Sequence, residues 1–340
     1  MVRIPLLIGL VIGGIAGLYA MALTLPGKDI FDTASPSQLM DPGPTAPSIA
    51  GHMKLRHARN RPAFDVGVFG NSRVLMLGAE SMGFKTGRYF NFAIASDSFY
   101  GGVLAARTLA ENGKLPRTLV FGLDNLNLQR DNNPSWPYIW HRIQWAGERI
   151  VDAVSDPGVS WAWLARRVWR SVWSEVIYFK QTFGPTMVKA GFLRLIGADA
   201  ALEGSAENRN FRADGSVFNP GRDPNIGPMA RPSARMDMIL FLDELDRIGR
   251  FKEPGTRVFI FETPLYPEVQ RQLETDPPAY VNEVRERWHE KCRALGFACI
   301  DAPLIEGDGA DGRWYDVSHA PEKPWARFIK MHMVRAADAF

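Results

Sequence analysis

The run FDVGVFGNSR, Phe64 to Arg73, decides the fold. Its first six residues are mostly apolar and β-rich, and they stop at Gly70, which permits a tight turn. The arrangement recurs downstream at Tyr89–Ile94 (YFNFAI), Thr118–Leu123 (TLVFGL), Arg257–Phe261 (RVFIF) and Phe297–Ile300 (FACI). Between these runs, segments 98–112 and 234–250 carry apolar residues at spacings of three and four, and 278–294 does so more weakly. Short continuous apolar strands alternating with helices predict an α/β fold whose parallel sheet is covered on both faces. Ligands of such sheets bind beyond the carboxyl ends of the strands, so functional residues are expected just after each run.

The rest of the chain departs from this alternation in two places. Residues 129–233 separate the third strand from the helix before the fourth. Within this insertion, 137–195 reads as helical and 203–233, rich in Gly, Pro, Asn and Arg, as an irregular loop. Seven of the ten Trp fall between Trp136 and Trp173, interleaved with Arg166, Arg167 and Arg170. They either pack the insertion onto the main domain or meet a glycan or a membrane interface. At the other end, Ile4–Pro26 holds 23 residues without a charge, long enough to cross a bilayer as a helix. Arg3 ahead of it favours a cytoplasmic N-terminus, and Ala20-Met21-Ala22 offers the rival reading of a cleaved signal. Either way the remainder is exported. Residues 27–62, dense in Pro and Gly, read as a linker with room for a short helix around His52–Arg59, and 63–340 as the α/β domain carrying the insertion.

Composition excludes several classes. With 40 Lys and Arg against 37 acids the chain is too balanced for a dedicated nucleic-acid binder. Two cysteines, Cys292 and Cys299, rule out a disulfide scaffold and a multi-Cys zinc site. They either bond to each other or remain two buried thiols. His141, His289 and His332 lack ligand spacing, no phosphate loop is present, and neither metal nor cofactor is expected.

Polar residues gather at four strand or loop ends. Gly70-Asn71-Ser72-Arg73 places a hydroxyl where a strand turns into a helix, either as a cap or as a nucleophile. Asn91 to Ser98 brings small residues whose amides can approach a ligand, with Ser96 or Asp97 also suited to capping. Gly122-Leu123-Asp124-Asn125-Leu126-Asn127 ends in three polar side chains, which serve a turn or face the crevice. Trp314-Tyr315-Asp316-Val317-Ser318-His319 sets a carboxylate three residues before an imidazole, a compact base in which Asp316 orients His319.

In this order the four segments resemble the blocks of the SGNH/GDSL hydrolase superfamily, over about residues 63–130 and 234–340. The resemblance implies a flavodoxin-like three-layer α/β/α fold and ester chemistry by Ser72, His319 and Asp316. It implies an oxyanion hole from the Ser72 and Ser96 amides with a side chain from Asp124 or Asn125, and substrate contacts from Asn71, Arg73, Asn127 and Trp314. Ser96 stands where the family has Gly, which leaves a backbone donor intact. Asp124 stands where the family has a donating Asn, and an ionised carboxylate there would repel an oxyanion. Loss of one such donor typically costs about 100- to 1,000-fold in rate. Tethered, exported members of this kind O-acylate envelope polymers beside a multi-spanning membrane acyltransferase that delivers the acyl group. The resemblance thus implies an inner-membrane protein with its catalytic domain in the periplasm, acting as an O-acetyltransferase on an envelope polysaccharide. The alternatives are an exported carboxylic-ester hydrolase with the same triad, or a non-catalytic polysaccharide-assembly protein of the same fold.

Overall fold

The computed structural model describes residues 54–55, 57–94, 99–123, 210–212, 214–216, 238–275, 279–306, 314 and 319–337, together with Gly13, Gly14, Leu39, Met40 and Gly51. Five parallel strands form the central sheet: β2 (Val66–Phe69), β3 (Tyr89–Asn91), β4 (Thr118–Leu123), β6 (Arg257–Glu262) and β7 (Ala298–Ile300). A separate antiparallel pair joins β1 (Leu39–Met40) to β5 (Asn210–Phe211). The sheet order is β3-β2-β4-β6-β7, so β2, first of the five in sequence, sits between the second and third. That is a doubly wound α/β order with its switch point between β2 and β4.

Side-chain alternation fixes the layers. Phe261 meets Trp325 of helix α7 (Glu322–Ala337) edge-on, while the next residue, Glu262, pairs with Arg285 of α6 (Ala279–Leu295). Successive strand residues point to opposite faces, so α7 and α6 cover opposite faces of the sheet. Helices α3 (Phe99–Glu111) and α4 (Met238–Phe251) lie with α6, since α4 contacts both. Short helices α1 (Ser72–Leu75) and α2 (Ala79–Met82) follow β2, and α2 packs on α7. The remaining helix, α5 (Pro267–Thr275), follows β6.

The aligned rings of Phe69 and Phe121, 5.1 Å apart, run across β2 and β4 toward Phe99 of α3. Each such fully buried side chain contributes about 1.5–3 kcal/mol. On this face Cys299 of β7 is bonded to Cys292 of α6, which ties the last helix–strand hairpin together. The core also takes in Leu55 and Ala58, from the stretch read as linker, so the domain includes residues ahead of position 63. Residues 137–195, expected from sequence to be helical, and the Trp cluster of the insertion lie outside the described residues, as does Ile4–Pro26 apart from Gly13 and Gly14. No helix among the described residues is long and apolar enough to cross a membrane.

Candidate functional site

Ser72 and His319, separated by 247 positions, meet at the carboxyl edge of the sheet. The Ser72 hydroxyl lies 2.8 Å from His319 Nε2, and both residues are partly buried.

The Ser72 side begins at Gly70. Its φ of 142° suits glycine, and a Cβ there would stand 3.2 Å from the Gly122 carbonyl oxygen. Helix α1 starts at once. Its N-cap is Asn71, whose side-chain oxygen accepts from the Arg73 amide at 3.0 Å. Asn71 therefore does the capping, and the Ser72 hydroxyl points to histidine instead. Arg73 is buried and its Nη1 donates to Thr263 Oγ1 at 3.3 Å, tying α1 to the end of β6. Val74 lies so close to β4 that a Cβ on Gly122 would come within 2.4 Å of it.

The far end of α1 is held by Asn91, the last residue of β3. Its fully buried Nδ2 donates to the carbonyls of Val74, Leu75 and Leu77 at 2.8, 3.2 and 2.9 Å, and its Oδ1 accepts from the Ala93 amide at 2.9 Å. One amide thus gathers the carbonyls at and just after the end of a short helix, where intrahelical donors run out.

The His319 side depends on α7. Ala320, Trp325 and Ile329 are buried, which docks the helix directly after the histidine. Glu322, in its first turn, accepts from the Gly78 amide at 3.2 Å and from both terminal nitrogens of Arg212 at 2.7 and 2.8 Å. Gly78 precedes α2, so this carboxylate links the segment after Ser72 to the helix after His319. Burial disfavours the Arg212 charge. The hydrogen bond and attraction to Glu322, with Asp214 and Tyr89 adding, nevertheless raise its pKa above the ordinary value.

Arg212 belongs to the segment read as irregular loop, and its neighbours reach the same place. Asp214 accepts from the Ala79 amide at the start of α2 and from the amide and hydroxyl of Ser216. Its backbone carbonyl accepts from the Asn91 amide at 2.7 Å. The fully buried Lys54 donates to the carbonyls of Ala93 and Gly215 at 2.6 and 2.7 Å. Tyr89 donates to the Leu77 carbonyl at 2.6 Å. Burial, and then the nearby charges of Asp214 and Glu322, push its hydroxyl well above its ordinary pKa.

No protein-family model, curated protein or solved structure matches the chain.

Of the site residues read from sequence, the structure brings together Ser72 and His319. It places Asn71 as a cap and Arg73 as a tether to Thr263. Trp314 is 1% exposed and meets Tyr266 edge-on at 5.6 Å, so it packs inside the fold instead of offering an open stacking face. Asp316, Ser96, Asp124, Asn125 and Asn127 lie outside the described residues. Among the described residues, no group of His, Cys, Asp and Glu side chains is arranged to hold a metal.

Four residues of the site carried no assigned role in the sequence: Asn91, Arg212, Asp214 and Glu322. Asn91 could have been found as the one amide inside the apolar run YFNFAI. Glu322 fits an acid in a first helical turn. Arg212 and Asp214 give no local cue, because their partners are 110 and 135 positions away.

Proposed function

We propose that the chain is an exported, membrane-tethered acyltransferase of the SGNH type, which moves an acetyl group to a hydroxyl of an envelope polysaccharide through an ester on Ser72. The observation that carries this reading is the 2.8 Å contact between Ser72 Oγ and His319 Nε2 at the carboxyl edge of a parallel sheet. The sheet order agrees with the flavodoxin-like arrangement of that superfamily. The Cys292–Cys299 disulfide agrees with an oxidising compartment.

The steps follow from the pair. Ser72 Oγ attacks the acyl carbon of the donor ester while its proton passes to His319 Nε2. The donor C–O bond breaks, and the leaving alkoxide takes that proton. A sugar hydroxyl then gives its proton to Nε2 and attacks the acyl carbon, and Ser72 Oγ leaves with the proton. Asp316 is assigned to the other ring nitrogen, where it fixes the tautomer and supports the imidazolium. The amides of Ser72 and Ser96, with Asp124 or Asn125, are assigned to the oxyanion. The proposed donor is a multi-spanning membrane acyltransferase. Water in place of the sugar would make the same site an esterase.

The test compares Ser72→Ala and His319→Ala with wild type, measuring ester hydrolysis by purified protein and O-acetyl content of the envelope in cells. Loss of envelope acetyl in both variants is expected. Loss of hydrolysis with unchanged envelope acetyl gives the esterase instead, and no change in either rejects an enzyme.

A further inference from the structure

The amino edge of the same sheet carries a cleft that the Ser72 chemistry does not use. Its volume is about 430 Å³, within the range of small-molecule sites. Lys85, Arg88, Arg117 and Arg257 line it, with Asp65 as the one carboxylate. All four cations are exposed.

Backbone pairing places them. The Asp65 amide donates to the Arg88 carbonyl at 2.8 Å, the Thr118 amide to the Asp65 carbonyl at 2.8 Å, and the Arg257 amide to the Arg117 carbonyl at 2.9 Å. Arg88, Asp65 and Arg117 therefore stand level at the starts of adjacent strands, spaced by about 4.8 Å per strand, and Arg257 sits one residue further along, level with Thr118. The row is anchored to the most regular part of the fold. Arg88 is ion-paired to Asp65, and Arg257 donates to Thr118 Oγ1 at 3.3 Å. Among the described residues, Lys85, Arg117 and Arg257 have no carboxylate partner. An excess of positive charge thus faces an open, concave surface.

The floor adds a second element. Phe84 is half-buried against Tyr89, with ring centroids 5.9 Å apart, and lines the cleft beside Lys85. Guanidinium forks match carboxylates in a bidentate way, and an aromatic face accepts the apolar face of a sugar ring. Guanidinium groups from three strand starts along one edge, with Lys85 and a half-buried ring beside them, suit an extended chain of acidic sugars better than a single anion. It also suits a saccharide better than a bilayer, which is met by protruding apolar groups.

We propose that the amino-edge cleft binds a carboxylated polysaccharide, at a site separate from Ser72. The proposal stands whether or not Ser72 transfers an acyl group.

The full chain is titrated with oligogalacturonate, with a neutral maltooligosaccharide of matching length, with phosphatidylglycerol vesicles and with single-stranded DNA. Saturable binding of oligogalacturonate is expected, weakening as salt is raised, with no binding of the neutral sugar. Arg117→Glu with Arg257→Glu should lower the affinity at least about tenfold. Phe84→Ala should lower it a few-fold while leaving the salt dependence as it was. Ser72→Ala should bind as wild type does. The proposal is overturned if the double variant melts cooperatively and still binds with wild-type affinity, or if Ser72→Ala abolishes binding. Binding of vesicles or DNA without binding of oligogalacturonate also overturns it. Should the double variant fail to fold, Lys85→Glu must weaken binding a few-fold, and an unchanged affinity rejects the cleft.

Discussion

The two edges of one sheet are built in opposite ways. At the carboxyl edge Asn71, Arg73, Asn91 and Asp214 are all buried, and each is bonded to backbone or to a partner from a distant segment. At the amino edge Lys85, Arg88, Arg117 and Arg257 are exposed, and one carboxylate faces them. The contrast separates two uses of polar groups. Buried and satisfied groups hold a pair of atoms to within bonding distance, and each is costly to remove. Exposed charges tolerate change and act through their field. The carboxyl edge is accordingly where single substitutions should be severe, and the amino edge where they should leave folding and hydrolysis alone.

The largest effect is expected for His319→Ala, which should slow ester hydrolysis by roughly 10⁴- to 10⁶-fold while the melting temperature stays near that of wild type. A fall of only a few-fold would make the Ser72–His319 contact structural and collapse the difference between the edges.

Next comes Asn91→Ala. It removes one donor from each of the Val74, Leu75 and Leu77 carbonyls and the acceptor of the Ala93 amide, at a cost of about 2–4 kcal/mol in stability. Denaturant unfolding checks it, and a loss within about 0.5 kcal/mol would mean that α1 is held from elsewhere.

Glu322→Gln weakens the bidentate bond from Arg212, whose partly buried geometry makes it worth about 1–2 kcal/mol. Since Glu322 also takes the Gly78 amide, kcat should fall more than KM rises. Unchanged kcat would sever the link between the 212–216 segment and the site.

Tyr89 supplies the pH test. Its folded pKa lies above the unfolded value near 10.0, so the stability its neutral form contributes is complete below that pH and is lost as pH rises through the folded value. Melting temperature should drop above about pH 10, and Tyr89→Phe should flatten the drop. An equally steep decline in the variant would assign it to other groups.

The smallest effect belongs to the amino edge. Arg117→Gln should change stability by no more than about 0.5 kcal/mol and leave hydrolysis of a small ester unaltered.

These edges also differed in how well the sequence disclosed them. All five strands stood where apolar runs were read, because a strand buried on both faces needs continuous apolar residues. Strand ends shifted by a residue or more: Phe64 and Asp65 fall outside β2, and Phe92 to Ile94 outside β3. Helices α3, α4 and α6 showed their spacing. Helix α7 begins with Pro321 just before it and Pro324 in its first turn, where proline is tolerated. Helix α5 likewise opens on Pro267. Helices α1 and α2 are too short for a period, and Asn71, Asn91 and Asp214 hold them. Ser72 and His319 were legible as residues at the ends of elements. What holds them was not, because Arg212, Asp214 and Lys54 act across long separations that no local pattern records.

The central claim is that Ser72 is the group His319 activates. The direct measurement is intact-mass and peptide analysis after brief exposure to p-nitrophenyl acetate and an acid quench. The account predicts one acetyl group on Ser72 in wild type and none in Ser72→Ala. An acetyl group on another residue, or an unmodified wild-type protein that still hydrolyses the ester, would contradict it.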